Sequence, residues 1–162
     1  EDLGFITDEV RELRDRLGLP GMRVLQFAFD AGESGVPFDP RNAFLPHTYV
    51  ERSVVYTGTH DNDTLAGWLS QASREERGYL ERYLGYRPAD PVRALIREAW
   101  KSVAAWAVAP MQDILGLGAE ARMNTPSTLG GNWTWRMAEG AFTPALAAEL
   151  RELSRLYGRG LD

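Results

Sequence analysis

Cysteine is absent from this chain of 162 residues. That absence removes disulfides, thiolate zinc sites and thiol nucleophiles together, and it fits a reducing, cytoplasmic setting. Charge of one sign is also scarce. The chain carries 18 Lys and Arg against 23 Asp and Glu, a formal net charge of −5, with no run of five or more like charges. A surface built to neutralise a nucleic-acid backbone is therefore not expected. Long apolar runs are missing too: the nearly apolar stretch Val103 to Met111 falls far below the roughly 20 residues that a membrane span requires. No membrane partner is expected, and no basic segment followed by an apolar one marks a secretion signal at the N-terminus.

What is present describes one ordinary globular unit: 44% apolar, 10% aromatic and 25% charged residues, which excludes disorder and collagen. The chain opens on Glu1-Asp2-Leu3-Gly4-Phe5 with no methionine. It reads as a segment of a longer protein.

Punctuation residues divide the sequence. Thr7 with Asp8 and Glu9 opens a helix carrying Val10, Leu13 and Leu17 at helical spacing, and Gly18 and Pro20 stop it. Arg23 to Phe29 is an apolar run of strand length, read as a buried strand. Residues 31–50 hold too many breakers for a regular element and read as a long loop, a kind of segment that is usually functional inside a compact domain. Ser53 to Thr59 reads as a second strand, and Asp63 or Thr64 caps the helix that follows. Ser73 and Glu76 have capping-box spacing and open a helix to about Leu84. Asp90-Pro91 starts a long helix to about Val108, and a third strand is expected to end near Gln112. Glu120 to Arg136 reads as a loop, and Thr143-Pro144 opens a last helix through Leu156 that closes at Gly158.

This order is a series of βα units and predicts an α/β fold with a parallel sheet. Three strands leave two bare edges and an uncovered face, so they should belong to a larger sheet or barrel. Chemistry in such folds collects at the carboxyl ends of strands, where Asp30, His60-Asp61 and the Asn124 to Trp135 loop stand.

The densest cluster of chemistry is Thr57-Gly-Thr-His-Asp-Asn-Asp63. It admits three readings. In the first, Asp63 caps a helix, Asn62 makes a turn and the rest is solvated surface. In the second, His60, Asp61 and Asp63 hold a metal, as in a metal-dependent hydrolase, although no second histidine has a ligand-like spacing. The third is a sugar or phosphate site with His60 as donor and Asp61 as a fixed carboxylate. Glu1-Asp2 is a further carboxylate pair, of a type normally solvated. Trp133 and Trp135 stand among amide and hydroxyl side chains, a pattern that suits stacking on a sugar ring; packing into the core is the favoured role for at least one of them.

Five strings occur in order: Glu1-Asp-Leu-Gly, Gly18-Leu-Pro-Gly-Met-Arg-Val-Leu-Gln-Phe-Ala-Phe29, Phe44-Leu-Pro-His47, Tyr56-Thr-Gly-Thr-His-Asp-Asn-Asp-Thr64, and Ala121-Arg-Met-Asn124 with Gly131-Asn-Trp-Thr-Trp-Arg136. In this order they resemble the C-terminal part of the amylomaltases, the 4-α-glucanotransferases also called disproportionating enzymes. The resemblance covers nearly the whole chain. It implies a (β/α)8 TIM barrel of which this chain supplies the second half, from the end of strand five through strand eight and the C-terminal helices. Residues 1–162 would then be one part of a single catalytic domain, with no separate domain.

The family moves α-1,4-glucan segments between maltooligosaccharides with retention of anomeric configuration. The resemblance implies that Glu1 is the general acid/base and that Asp61 holds the sugar ring and stabilises the transition state. It further implies that His60 donates to hydroxyls of the same sugar, that Phe27 and Asn124 line the cleft, and that Trp133 contacts substrate. The nucleophilic aspartate of the family lies upstream of Glu1, outside this chain, so the isolated chain is expected to be inactive. Retaining transfer needs one carboxylate to attack the anomeric carbon and a second, roughly 5 to 5.5 Å away, to protonate and later deprotonate the bridging oxygen. The first must be ionised and the second protonated at the outset, which burial near other carboxylates favours for Glu1. The implied partners are a glucan or maltooligosaccharide donor, a sugar acceptor and the N-terminal half of the barrel. No cofactor and no metal is required.

Two places depart from the family pattern. Ala31 to Arg41 is longer than in compact members, and Pro126 precedes Ser127 where many members have Pro-Gly. From another class, a carbohydrate-binding or structural module that catalyses nothing is the alternative; an aspartate upstream at a strand end separates the two.

Overall fold

The computed structural model describes residues 3–4, 6–34 and 38–160. Three short strands form its sheet: β1 (Gly21–Val24), β2 (Ser53–Tyr56) and β3 (Trp106–Val108). Both pairings are parallel, with Met22 opposite Val54 and Val54 opposite Trp106. The predicted α/β class with a parallel sheet is therefore what the chain adopts.

Seven α-helices form among the described residues: α1 (Asp8–Arg16), α2 (Ala31–Ser34), α3 (Leu65–Gln71), α4 (Arg74–Leu84), α5 (Pro91–Lys101), α6 (Met111–Ile114) and α7 (Pro144–Leu156). Their starts follow the sequence signals. The Thr64 hydroxyl accepts from Gly67 N, Ser73 and Glu76 form the reciprocal capping box, Asp90 accepts from Arg93 N, and Thr143 accepts from Leu146 N. Thr7 stands before α1 but makes no side-chain capping bond, and α1 buries none of its residues.

One face of the sheet is covered. Val55, Leu25, Phe29 and Leu45 pack with Leu65 of α3, Leu80 of α4 and Leu95 and Ile96 of α5 in a single core. Each fully buried side chain of this size stabilises the fold by roughly 1.5–3 kcal/mol. Because side chains alternate along a strand, the other face carries Val54 and Tyr56, half-buried, and Trp106 and Val108, exposed.

The two outer strands differ from expectation. Arg23 to Phe29 is not one strand: β1 stops at Val24 and residues 25–28 turn into a 3-10 helix. Gln26 N still donates to Thr57 O, but Phe29 N and Asp30 N both return to Gln26 O. The apolar run reflected burial of Leu25, Ala28 and Phe29 rather than strand geometry. In the same way α5 ends at Lys101, where both Ser102 N and the Ser102 hydroxyl donate to Ala99 O. The third strand consequently falls at Trp106–Val108, within the stretch expected to be helical, and the segment after Pro110 is the short helix α6. Residues 31–50 are mostly loop, as expected, with α2 at the start and a 3-10 turn at Pro46–Thr48.

Candidate active site

Thr57 fixes the end of β2 between its neighbours, donating through N to Val108 O and accepting at O from Gln26 N. The chain then leaves the sheet and carries Gly58 to Asp63 across its carboxyl end before α3 begins. The backbone at Gly58 passes close to a side chain: a Cβ there would approach Gln26 Oε1 to 3.2 Å. The turn is closed by Asn62, whose Oδ1 accepts from both Thr59 N and Thr59 Oγ1 at 2.8 Å. His60 and Asp61 stand at its apex, both about half exposed.

A second segment is stitched to this apex. Asn124 N donates to His60 O at 3.0 Å, and Asn124 Nδ2 donates to Asp61 Oδ1 at 2.6 Å. His60 Nε2 lies 3.4 Å from the same Asp61 oxygen. The Arg122 guanidinium donates through Nη2 to Asp61 O at 2.7 Å and through Nε to Asn124 O at 2.9 Å. Sixty-one residues separate Arg122 from Asp61, so this contact is made by the fold and not by local sequence. Trp133 completes the group. Its ring meets that of His60 at a tilt of 38° with centroids 5.0 Å apart, and its backbone N donates to Met123 O.

Phe27 reaches the same cleft from the far side. A cavity of about 1150 Å3 is lined by Phe27, Phe44, Tyr56, His60, Asp61 and Pro126, among others. The Phe27 ring meets Phe44 edge-on at 5.2 Å, and Asn42 Nδ2 holds Phe27 O at 3.3 Å. A smaller adjoining pocket of about 190 Å3 lies between His60, Arg122 and Trp133. The cleft thus combines an apolar aromatic wall with a carboxylate, an amide and an imidazole, a set that suits a polyhydroxylated ring with apolar faces.

Of the residues singled out from sequence, His60, Asp61, Asn124 and Trp133 come together, and Phe27 shares the cavity with the first two. Glu1 lies outside the described residues. Trp135 is half-buried and Trp133 exposed, so neither is a core residue. Asp63 lines the smaller pocket, and its Oδ1 accepts from Thr64 N; among the described residues no group of three His, Asp or Glu side chains is placed to hold a metal ion. Arg122 was not singled out from sequence, because an arginine bonding two backbone carbonyls leaves no local pattern. Asp113 was also missed. It is 2% exposed, and burial pushes its carboxyl pKa up, partly offset by hydrogen bonds from Thr57 and Leu65.

Residues 1–142 match the 4-alpha-glucanotransferase family. The chain belongs to that family. A 4-alpha-glucanotransferase of Thermus thermophilus is 51% identical over 98% of this chain, and one of Streptococcus pneumoniae is 47% identical over 98%. An amylomaltase of Streptococcus agalactiae, solved in complex with acarbose, superposes with a TM-score of 0.90 at 34% identity and covers 99% of this chain. The chain spans about a third of the length of these glucanotransferases: 32%, 30% and 32%.

Proposed function

We propose that this chain is the C-terminal third of a cytoplasmic 4-α-glucanotransferase and forms the second half of its (β/α)8 barrel. The open sheet face bearing Trp106 and Val108 supports a barrel interior closed by further strands. The reaction is transfer of α-1,4-glucan segments between maltooligosaccharides by retaining double displacement. An upstream aspartate attacks the anomeric carbon, and the donor's bridging oxygen leaves with a proton from Glu1. Glu1 then takes the proton of an acceptor hydroxyl as that hydroxyl displaces the enzyme carboxylate. Asp61 hydrogen-bonds the hydroxyls of the reacting glucose and stabilises its developing positive charge. His60 and Asn124 hold the same unit, while Phe27 and Trp133 supply apolar surface.

The observation that carries this reading is the Asn124–Asp61 hydrogen bond of 2.6 Å beside His60, at the carboxyl ends of parallel strands and open to a cavity with Phe27. An amide donor aims one carboxylate lone pair and leaves the rest for a ligand. Incubating maltotriose with the full-length protein should yield glucose and longer maltooligosaccharides whose newly formed linkages are α by proton NMR. The chain of 162 residues alone should yield none, because the nucleophile is missing. Transfer by the isolated chain, or inverted linkages, would overturn the proposal.

A further inference from the structure

Asp113 is a buried carboxylate with no assigned role, and its two oxygens reach two different elements. Oδ2 accepts from the Thr57 hydroxyl at 2.6 Å, and Oδ1 accepts from Leu65 N at 2.8 Å. Thr57 is 0% exposed and Leu65 is 0% exposed, so both bonds are shielded from water. Thr57 and Leu65 flank the seven residues 58–64 that carry His60 and Asp61 across the end of the sheet. Leu65 is the first residue of α3, and its N–H has no acceptor within the helix. The same carboxylate therefore closes the loop at both ends.

No cation balances it: among the described residues Asp113 makes no ion pair. A carboxylate placed there costs desolvation that two hydrogen bonds offset only in part. An apolar residue of similar size would fill the space but would leave the Thr57 hydroxyl and Leu65 N–H buried without partners.

We infer that Asp113 is a positioning residue for glucan transfer, setting the His60–Asp61 turn by fixing Thr57 and Leu65 on either side of it. The inference rests on the reading that Asp61 acts on the reacting sugar. Displacing a carboxylate that works in the transition state by an ångström is expected to lower kcat far more than it raises KM, since ground-state binding is spread over the other contacts to the sugar.

The test is maltotriose disproportionation by variants of the full-length protein. Asp113→Ala should lower kcat about a hundredfold with KM changed less than about threefold. Asp113→Asn can accept from Leu65 N and donate to the Thr57 hydroxyl, and should recover kcat to within about threefold of the parent. Leu80→Ala, in the core but on α4, lowers stability without touching the loop and should leave the kcat of the folded protein unchanged. Should Asp113→Ala not accumulate as folded protein, Thr57→Val, which exchanges the hydroxyl for a methyl group of similar size, should still lower kcat about tenfold. Parent-like kcat in Asp113→Ala, or in Thr57→Val, overturns the inference, as does an equal loss in Leu80→Ala. An Asp61→Asn variant run alongside separates the two failures. If it is active, the underlying glucan-transfer reading fails; if it is dead while Asp113→Ala and Thr57→Val are normal, only the role of Asp113 fails.

Discussion

Asn124 Nδ2 sits 2.6 Å from Asp61 Oδ1, although 63 residues separate the two in the chain. The bond joins the loop after β2 to the loop that follows β3 and α6, and it fixes the direction in which the Asp61 carboxylate presents its free lone pairs. Asn124→Ala removes the donor and leaves the carboxylate free to rotate. A drop in kcat of about tenfold to a hundredfold on maltotriose is expected. Asn124→Asp, which sets a second carboxylate against the first, should be worse than alanine. Steady-state kinetics on both variants checks the order, and an aspartate variant as active as the parent would contradict it.

Arg122 underlies that bond by donating to Asp61 O and Asn124 O at once. Only a planar fork of N–H groups spans two carbonyls in this way, so Arg122→Lys is not conservative here. It should cost about 1–2 kcal/mol of stability and lower kcat, with the thermal melt and the rate measured on one preparation. Unchanged values for both would show that the fork is dispensable.

Much of this was legible in the sequence, and unevenly so. The capping signals at Thr64, Ser73, Asp90 and Thr143 all correspond to observed side-chain caps, because a cap is a local arrangement of neighbouring residues. Strand ends were less legible. Leu25 to Phe29 is apolar because it is buried, and burial alone does not distinguish a strand from a tight helical turn. The break at Ser102 was invisible because apolar residues continue on both sides of it, through Val103 and Val108. His60 and Asp61 stood out as polar residues after an apolar strand, Trp133 as an aromatic among amide and hydroxyl groups, and Asn124 gained an individual role only through resemblance. Arg122 and Asp113 act through contacts 61, 56 and 48 residues away, which no local pattern reports.

Ser127 adopts φ of +63°, in the left-handed region that glycine occupies without strain. It follows Pro126, and as a serine it bears strain there that a glycine would not. Ser127→Gly should stabilise the protein by about 0.5 kcal/mol, the strain relieved exceeding the added freedom of the unfolded chain. Ser127→Ala should bring no gain. A lower melting temperature for the glycine variant would contradict the argument.

Glu76 joins two segments with one carboxylate, Oε2 accepting from Ser73 N and Oε1 from Ala31 N. Burial acts to raise its pKa, but the hydrogen bonds from Ala31 and Ser73 together outweigh it and hold the group below the ordinary 4.5. A depressed carboxyl pKa contributes stability that is present above the unfolded value and is lost as pH falls through the folded one. The parent should therefore melt higher than Glu76→Gln at pH 6 to 8, and the gap should shrink below about pH 4 as Glu76 takes up its proton. A gap that does not vary with pH would show that the carboxylate's charge contributes nothing there.

The central claim is that Glu1 and Asp61 serve one glucose unit. A crystal structure of the full-length protein with a bound maltooligosaccharide measures this directly. The account predicts the Asp61 carboxylate within hydrogen-bond distance of a sugar hydroxyl, and the Glu1 carboxyl beside the bridging oxygen of that same sugar, roughly 5 to 5.5 Å from an upstream aspartate. Glu1 and Asp61 contacting different sugars, or a ligand that leaves Asp61 untouched, would contradict it.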